Sequence, residues 1–393
     1  MPHASVLAIL LISTGFGQTP EKAPIYDLVL RGGKVVDGTG NPWFRGDVAI
    51  AKDKIALVGA VPAGTGRREF DAHGLAIAPG FIDIHSHSEY SILEDGRADS
   101  KIRQGVTTEV FGESDSPGPY VGKLNPVRVR VGKKTVRPTS LAEYFDQTEK
   151  AGVSVNVASF VGLGNVWQCV MGTSHARPTP AQLEEMKKLV ADAMEQGASG
   201  LSCCLAQTPD LLSTTDELVE LCKVVARYKG IFVSHIRGEG TGVFDAIREV
   251  IEVGRRAGVQ VEILHIKIAD QSCWGRMNEI VKTIDDARQS GVNVQANVYP
   301  YTRGHNDLAT IIPPWAHEGG TEKMLARLKD PAERVKLKRD IENGLPGWYD
   351  HYTAVGGDWS RMLISDRNSY GGLTMDRILA ARMKDKSSPP DPL

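Results

Sequence analysis

Between Val106 and Pro300 the sequence alternates short apolar, β-branched runs with amphipathic stretches of helical length. No other feature constrains the fold as much. The runs Val106–Phe111, Val155–Val161, Gly200–Leu205, Ile231–His235, Val259–His265 and Gly291–Pro300 read as strands. Helical patterns fill Pro180–Gln196, with Thr179 placed to cap its first turn, and Thr215–Tyr228, Val243–Ala257 and Met277–Gln289. Strand and helix in strict alternation build βα units, and hence a parallel sheet with helices packed against it. One more run, Leu75–Ile84, opens the series with Pro79 and Gly80 inside it, which makes seven strands. Beyond Pro300 the pattern yields helices and loops but no eighth strand.

Histidines sit where these strands end. His85 and His87 follow the first run, and alternation along an extended chain puts both on one side with Ser86 opposite. His235 ends the run Ile231–His235, and His265 ends the next. In a parallel α/β sheet the strand ends on one face converge. Neutral imidazole is the commonest protein ligand for zinc, so four histidines at three strand ends form a candidate metal constellation.

The first strand reads Pro79-Gly-Phe-Ile-Asp-Ile-His-Ser-His87. This resembles the opening signature of the amidohydrolase superfamily, whose members are metal hydrolases. The resemblance implies a (β/α)8 barrel beside a small β-sandwich domain, an α/β fold. Further pieces, in order, are Asn156-Val-Ala-Ser-Phe-Val-Gly162, Met194-Glu-Gln-Gly-Ala-Ser-Gly-Leu-Ser202, His235-Ile-Arg-Gly-Glu239, His265-Ile-Lys267, Trp274-Gly275 and Tyr299-Pro-Tyr301. The ordered set resembles the N-acyl-D-amino-acid deacylases, or D-aminoacylases, within that superfamily. It implies amide hydrolysis by a metal-activated water, with one or two zinc ions. His85 and His87 would hold one metal position, and His235 and His265 the other. By position, Arg237 and Glu239 after His235, and Lys267, are candidates for orienting ligands or substrate, and Tyr299 and Tyr301 at a strand end are candidates for touching the substrate. Other members, such as D-aminoacyl dipeptidases, stay open as alternatives, as does a non-catalytic metal-binding remnant.

Two departures from the family pattern stand out. The metal-binding Cys expected soon after the second strand is replaced in Gly112-Glu-Ser-Asp-Ser116, with Ser114 in its column. Serine is a poor zinc ligand at neutral pH, whereas Glu113 and Asp115 carry suitable oxygens, and Glu113 is the favoured replacement. The hydantoinase branch would instead need a Lys near the fourth strand, and Gly200–Leu205 has none. The family's catalytic Asp lies in a Ser-Asp-Gly motif at the eighth strand. Past Tyr301 the one Ser-Asp pair is Ser365-Asp366, followed by Arg367 and preceded by no strand pattern. The catalytic Asp is therefore expected to be absent, with Asp366 a decoy. With seven strands and a polar, proline-rich end, the chain reads as a barrel lacking its C-terminal part.

The rest of the chain fills in around this plan. Tyr26–Asp37 reads as two short strands around the Gly32-Gly33 turn, and Asp47–Ile50 and Lys54–Val58 continue it; residues 25–72 are expected to form the N-terminal part of the small β domain and residues 73–393 the barrel. Residues 1–19 hold a short apolar core, Val6 to Ile12, which suits a signal peptide better than a membrane span; the expected location is secreted or periplasmic, otherwise cytoplasmic. Val127–Arg137 alternates basic and apolar residues and reads as an exposed hairpin. A net charge of −2 over 393 residues gives no signal for nucleic acid. The expected partner, as the resemblance implies, is a small N-acyl amino acid substrate. The five cysteines form no spaced metal motif and no disulfide framework.

Overall fold

The computed structural model describes residues 26–365 and 369–384. The expected signal peptide and Asp366 lie outside the described residues. The chain divides into two compact units, residues 1–80 and 81–393.

The first unit contributes one sheet. Strands β1 (Leu28–Val35), β2 (Phe44–Ala51) and β3 (Lys54–Gly59) pair antiparallel in the order β3-β2-β1. Strands β4 (Glu69–Asp71) and β5 (Ala76–Ile77) add parallel to β1. The sequence reading placed a turn at Gly32-Gly33, but β1 runs straight through it. The pairing with β2 shifts register between Leu30 and Gly33, and Gly32 takes φ +68° while its N–H donates to Asp47 Oδ1 at 2.8 Å. Two glycines here make a bulge because the half-buried Asp47 carboxylate gives the displaced N–H a partner. The unit boundary also falls later than residue 72. Ala76–Ile77 pairs with β1, so the Leu75–Ile84 run is split at Pro79-Gly80 between two sheets.

The second unit is the α/β body. Its parallel strands are β6 (Phe81–Asp83), β7 (Val106–Phe111), β10 (Asn156–Ser159), β11 (Val161–Gly162), β12 (Gly200–Cys204), β13 (Ile231–His235), β14 (Gln260–Ile263) and β15 (Val294–Ala296). β6, β7 and β10 pair in sequence order, as do β11 through β15. β10 and β11 are two halves of one strand, broken at Phe160. The seven barrel strands expected from the sequence are therefore present in order. Among the described residues β6 and β15 each pair on one side only, and the sole later pairing is an antiparallel bridge, Leu363 to Thr374. The remaining pair, β8 (Val129–Val131) and β9 (Lys134–Val136), forms the expected basic hairpin around Gly132-Lys133.

Period-two alternation sorts the barrel side chains. On β13, Phe232 joins a large outer core under the helices Pro180–Glu195, Thr215–Arg227, Val243–Ala257 and Met277–Gln289. Its neighbour Val233 points the other way and packs with Val110, Phe160 and Leu264 in a small inner core. Helix starts follow local chemistry: Thr179 and Thr214 each form a reciprocal capping box, with Gln182 and Glu217 respectively. The inner core floors the site described next.

Candidate metal centre

β13 carries the alternation one step further. Val233 faces inward, Ser234 outward, and His235 inward again at the strand's C-terminal end, 6% exposed. His265 reaches the same place differently. β14 stops at Ile263, and Leu264 already belongs to the inner core, so continued alternation would turn His265 outward. Instead His265 adopts φ +36°, a conformation side chains seldom take. Its N–H donates to Asn297 Oδ1 at 2.7 Å, and Asn297 in turn donates to Glu262 Oε1 at 2.9 Å. That bridge holds the kink, and the His265 ring lies 4.5 Å from the ring of His235 and 5.1 Å from that of His85.

On the opposite side, β6 ends at Asp83, two residues before His85, and the Ser86 N–H still donates to Val110 O at 3.0 Å. This keeps the segment alongside β7, and the Nε2 atoms of His85 and His87 come within 3.2 Å.

Glu113 stands between the two pairs. Its Oε2 lies 2.6 Å from His85 Nε2 and 3.2 Å from His87 Nε2. Its Oε1 lies 3.4 Å from His235 Nδ1 and 3.9 Å from His265 Nε2. The donor atoms thus fall into two clusters sharing one carboxylate: His85, His87 and Glu113, and Glu113, His235 and His265. Asp115, the other candidate oxygen donor, is exposed and belongs to neither. Ser114 is buried and turned away: its Oγ packs where a Cβ on Gly164 would fall, and its N–H donates to Ser202 Oγ at 3.2 Å. Ser202 and Asn297 are supports that the sequence reading missed. Their side-chain types carry no signal, since only the fold brings them to these loops.

The electrostatics suit a cation. Burial pushes the Glu113 carboxyl up, but the facing imidazoles of His235, His265, His85 and His87 outweigh it and hold the group well below its usual range. The hydrogen bond to Glu113 raises His87; His265 is lowered by burial but raised on balance by Glu113 and Glu239. Glu113 Oε1 and His235 Nε2 are buried with no hydrogen-bond partner. Four imidazoles around an ionised carboxylate, with orphaned polar atoms among them, fit one or two divalent metal ions of the zinc type.

The expected substrate-orienting residues separate. Lys267 Nζ donates to the Glu239 carboxylate and lies 5.5 Å over the Tyr299 ring. Tyr299 is 6.3 Å from the His265 ring, ring centre to ring centre, so both border the histidines. Tyr301 stacks on Tyr299 at 6.2 Å and is 73% exposed. Arg237 is not free to orient anything: its guanidinium donates to both oxygens of Glu249, to Leu211 O at 2.7 Å and to Ser213 O at 2.9 Å. It clamps the loop after β12 to the helix Val243–Ala257.

No family model matches the chain. It is 36% identical over 278 residues to N-acyl-D-glutamate deacylase of Alcaligenes xylosoxydans xylosoxydans, covering 70% of this chain and 57% of that protein. It is 32% identical over 282 residues to the D-aminoacylase of the same organism, covering 71% of this chain and 58% of the relative. A crystal structure of D-aminoacylase, described as defining a novel subset of amidohydrolases, aligns with TM-score 0.65 and 32% identity over 71% of this chain and 59% of that one. N-acyl-D-glutamate deacylase from Bordetella bronchiseptica, solved with zinc and a phosphonate mimic of the tetrahedral intermediate, aligns with TM-score 0.66 and 33% identity over 70% and 59%. The chain therefore spans under three-fifths of the length of these relatives, between 57% and 59%. Across the matched region, the chain is similar to the D-aminoacylases among the amidohydrolases.

Proposed function

We propose that these residues build the zinc centre of an enzyme that hydrolyses the amide bond of N-acyl-D-amino acids. The observation that carries this reading is the Glu113 carboxylate set between two histidine pairs, one oxygen to each. Zinc bound there lowers the pKa of a coordinated water and polarises the scissile carbonyl. The chain's own residues would hold the metal and border the substrate. His235 and His265 with Glu113 Oε1 form the more buried position, and His85 and His87 with Oε2 the more open one. Lys267 and Tyr299 stand beside the deeper pair, where a cation and a phenol can meet the substrate's carboxylate. The inner core of Val110, Phe160, Val233 and Leu264 closes the floor against water. The relatives at 36% and 32% identity, a D-glutamate and a general D-amino-acid deacylase, support the D-configured N-acyl substrate class.

The test is zinc content by elemental analysis together with hydrolysis of N-acetyl-D-glutamate and its L-enantiomer, before and after chelation and zinc return. We expect bound zinc, and D-selective turnover that chelation removes and zinc restores. Turnover that survives complete removal of metal, or a protein that takes up no zinc, would overturn the reading.

A further inference from the structure

Glu239 plays no part in the two donor clusters, yet it touches both deep histidines. A single oxygen, Oε1, lies 3.6 Å from His235 Nε2 and 3.1 Å from His265 Nδ1. These are the ring nitrogens not directed at Glu113, which faces His235 Nδ1 and His265 Nε2. Glu239 thus stands behind both rings, close to His265 Nδ1 and beyond hydrogen-bond reach of His235 Nε2. Glu239 is 2% exposed, and its backbone is fixed by the Ala269 N–H donating to Glu239 O at 2.8 Å.

A carboxylate buried this deeply must be paired. Lys267 supplies the charge: its Nζ donates to Glu239 Oε1, and it is anchored by His265 O at 3.1 Å. The same ammonium lies 3.0 Å from His265 Nδ1. An ammonium can only donate, so a Lys267 bond to Nδ1 would require the proton to sit on Nε2, the nitrogen that faces Glu113. Glu239 Oε1 lies 3.1 Å from the same nitrogen and accepts from the ammonium, so it competes with Lys267 for Nδ1.

We propose that Glu239 is a positioning residue for the metal, fixing the Nδ1–H tautomer of His265. This rests on the metal-centre reading above. The buried oxygen thereby turns the Nε2 lone pair of His265 toward Glu113. A neutral imidazole has one N–H and one lone pair, so an acceptor behind the ring settles which nitrogen is left to bind.

The test uses the full chain as wild type, Glu239→Gln and Glu113→Gln. Zinc affinity is measured by chelator competition, and the ring tautomers of the apo-proteins by 15N NMR with labelled histidine. Loss of such a partner typically weakens metal binding by about 10–100-fold. For Glu239→Gln we expect a loss in that range with an unchanged far-UV spectrum, and mixed tautomers at one histidine, His265, that is single in the wild type. If the wild type takes up no zinc, the metal-centre reading fails. If Glu113→Gln loses zinc while Glu239→Gln binds as the wild type does, with single tautomers, that reading stands and the role of Glu239 is overturned. Should Glu239→Gln not fold because Lys267 is stranded, the double variant Glu239→Gln/Lys267→Gln removes both charges. The same loss and the same tautomer mixing are expected of it, and wild-type affinity in it would refute the proposal.

Discussion

His85 Nε2 lies 2.6 Å from Glu113 Oε2, although 28 residues separate them and they come from different strands. The other oxygen of the same carboxylate faces His235 and His265. A carboxylate that serves two histidine pairs can bridge two metal positions, which the serine beside it cannot do. Glu113→Gln is therefore expected to lose most of the bound zinc, and Ser114→Ala to keep it. Elemental analysis of the two purified variants decides this; the reverse pattern would return the ligand role to Ser114.

The loop that aims Glu113 is held by a close approach of backbone. A Cβ built on Gly162 would fall 2.0 Å from Ser114 O, and one on Gly164 would fall 2.8 Å from the same backbone oxygen. Neither contact can be relieved by swinging a flexible side chain. Gly162→Ala must push the 112–116 loop away from β11, at a cost of roughly 1–3 kcal/mol for overpacking. Both the urea midpoint and the zinc content should drop. A variant with wild-type stability and full zinc would show that the loop is not held as described.

Arg237 offers a contrast with its neighbour Glu239. Its donors are used on Glu249, Leu211 O and Ser213 O, so Arg237→Gln should act on stability and not on substrate binding. Hydrogen bonds to charged groups contribute about 1.5–3 kcal/mol, and a loss of that order is expected in urea unfolding. KM for an N-acyl-D-amino acid should move little. A raised KM with unchanged stability would restore Arg237 to the substrate site.

These residues also show how far the sequence could be read. The strand series, the helices and the convergence of His85, His87, His235 and His265 were legible because period-two and period-3.6 patterns are written locally. Val243–Ala257 and Met277–Gln289 have the bounds expected from pattern alone. What was not legible depends on partners distant in sequence. The Leu75–Ile84 run divides between two sheets because β1 captures Ala76–Ile77. Gly32-Gly33 is a bulge and not a turn because Asp47 meets the displaced N–H. His265 faces inward through a left-handed kink tied to Asn297, and strand alternation alone would have turned it outward. Arg237 and Glu239, two residues apart, part company because one meets Glu249 and the other meets His235 and His265. No spacing rule separates them.

The segment after Tyr349 gives a prediction in pH. His351 is half-buried against Tyr349, with ring centres 4.7 Å apart, and its two ring nitrogens are buried with no hydrogen-bond partner. Burial lowers its pKa from 6.5 to about 4, with Glu239 opposing the shift and His235 and Lys267 adding to it. The folded state thus refuses a proton that the unfolded chain accepts. Above pH 6.5 neither state is protonated at this residue, and its contribution is constant. As pH falls from there toward about 4, the unfolded state gains the proton first and stability drops; below that both states carry it and the loss levels off. The slope inside the window approaches about 1.4 kcal/mol per pH unit. Urea unfolding of the wild type and of His351→Phe at pH 7.5 and pH 5 measures it. The wild type should lose about 2 kcal/mol more than the variant between the two conditions. Equal losses in both proteins would mean that His351 is protonated in the folded state or reached by water, and that the burial described for it is wrong.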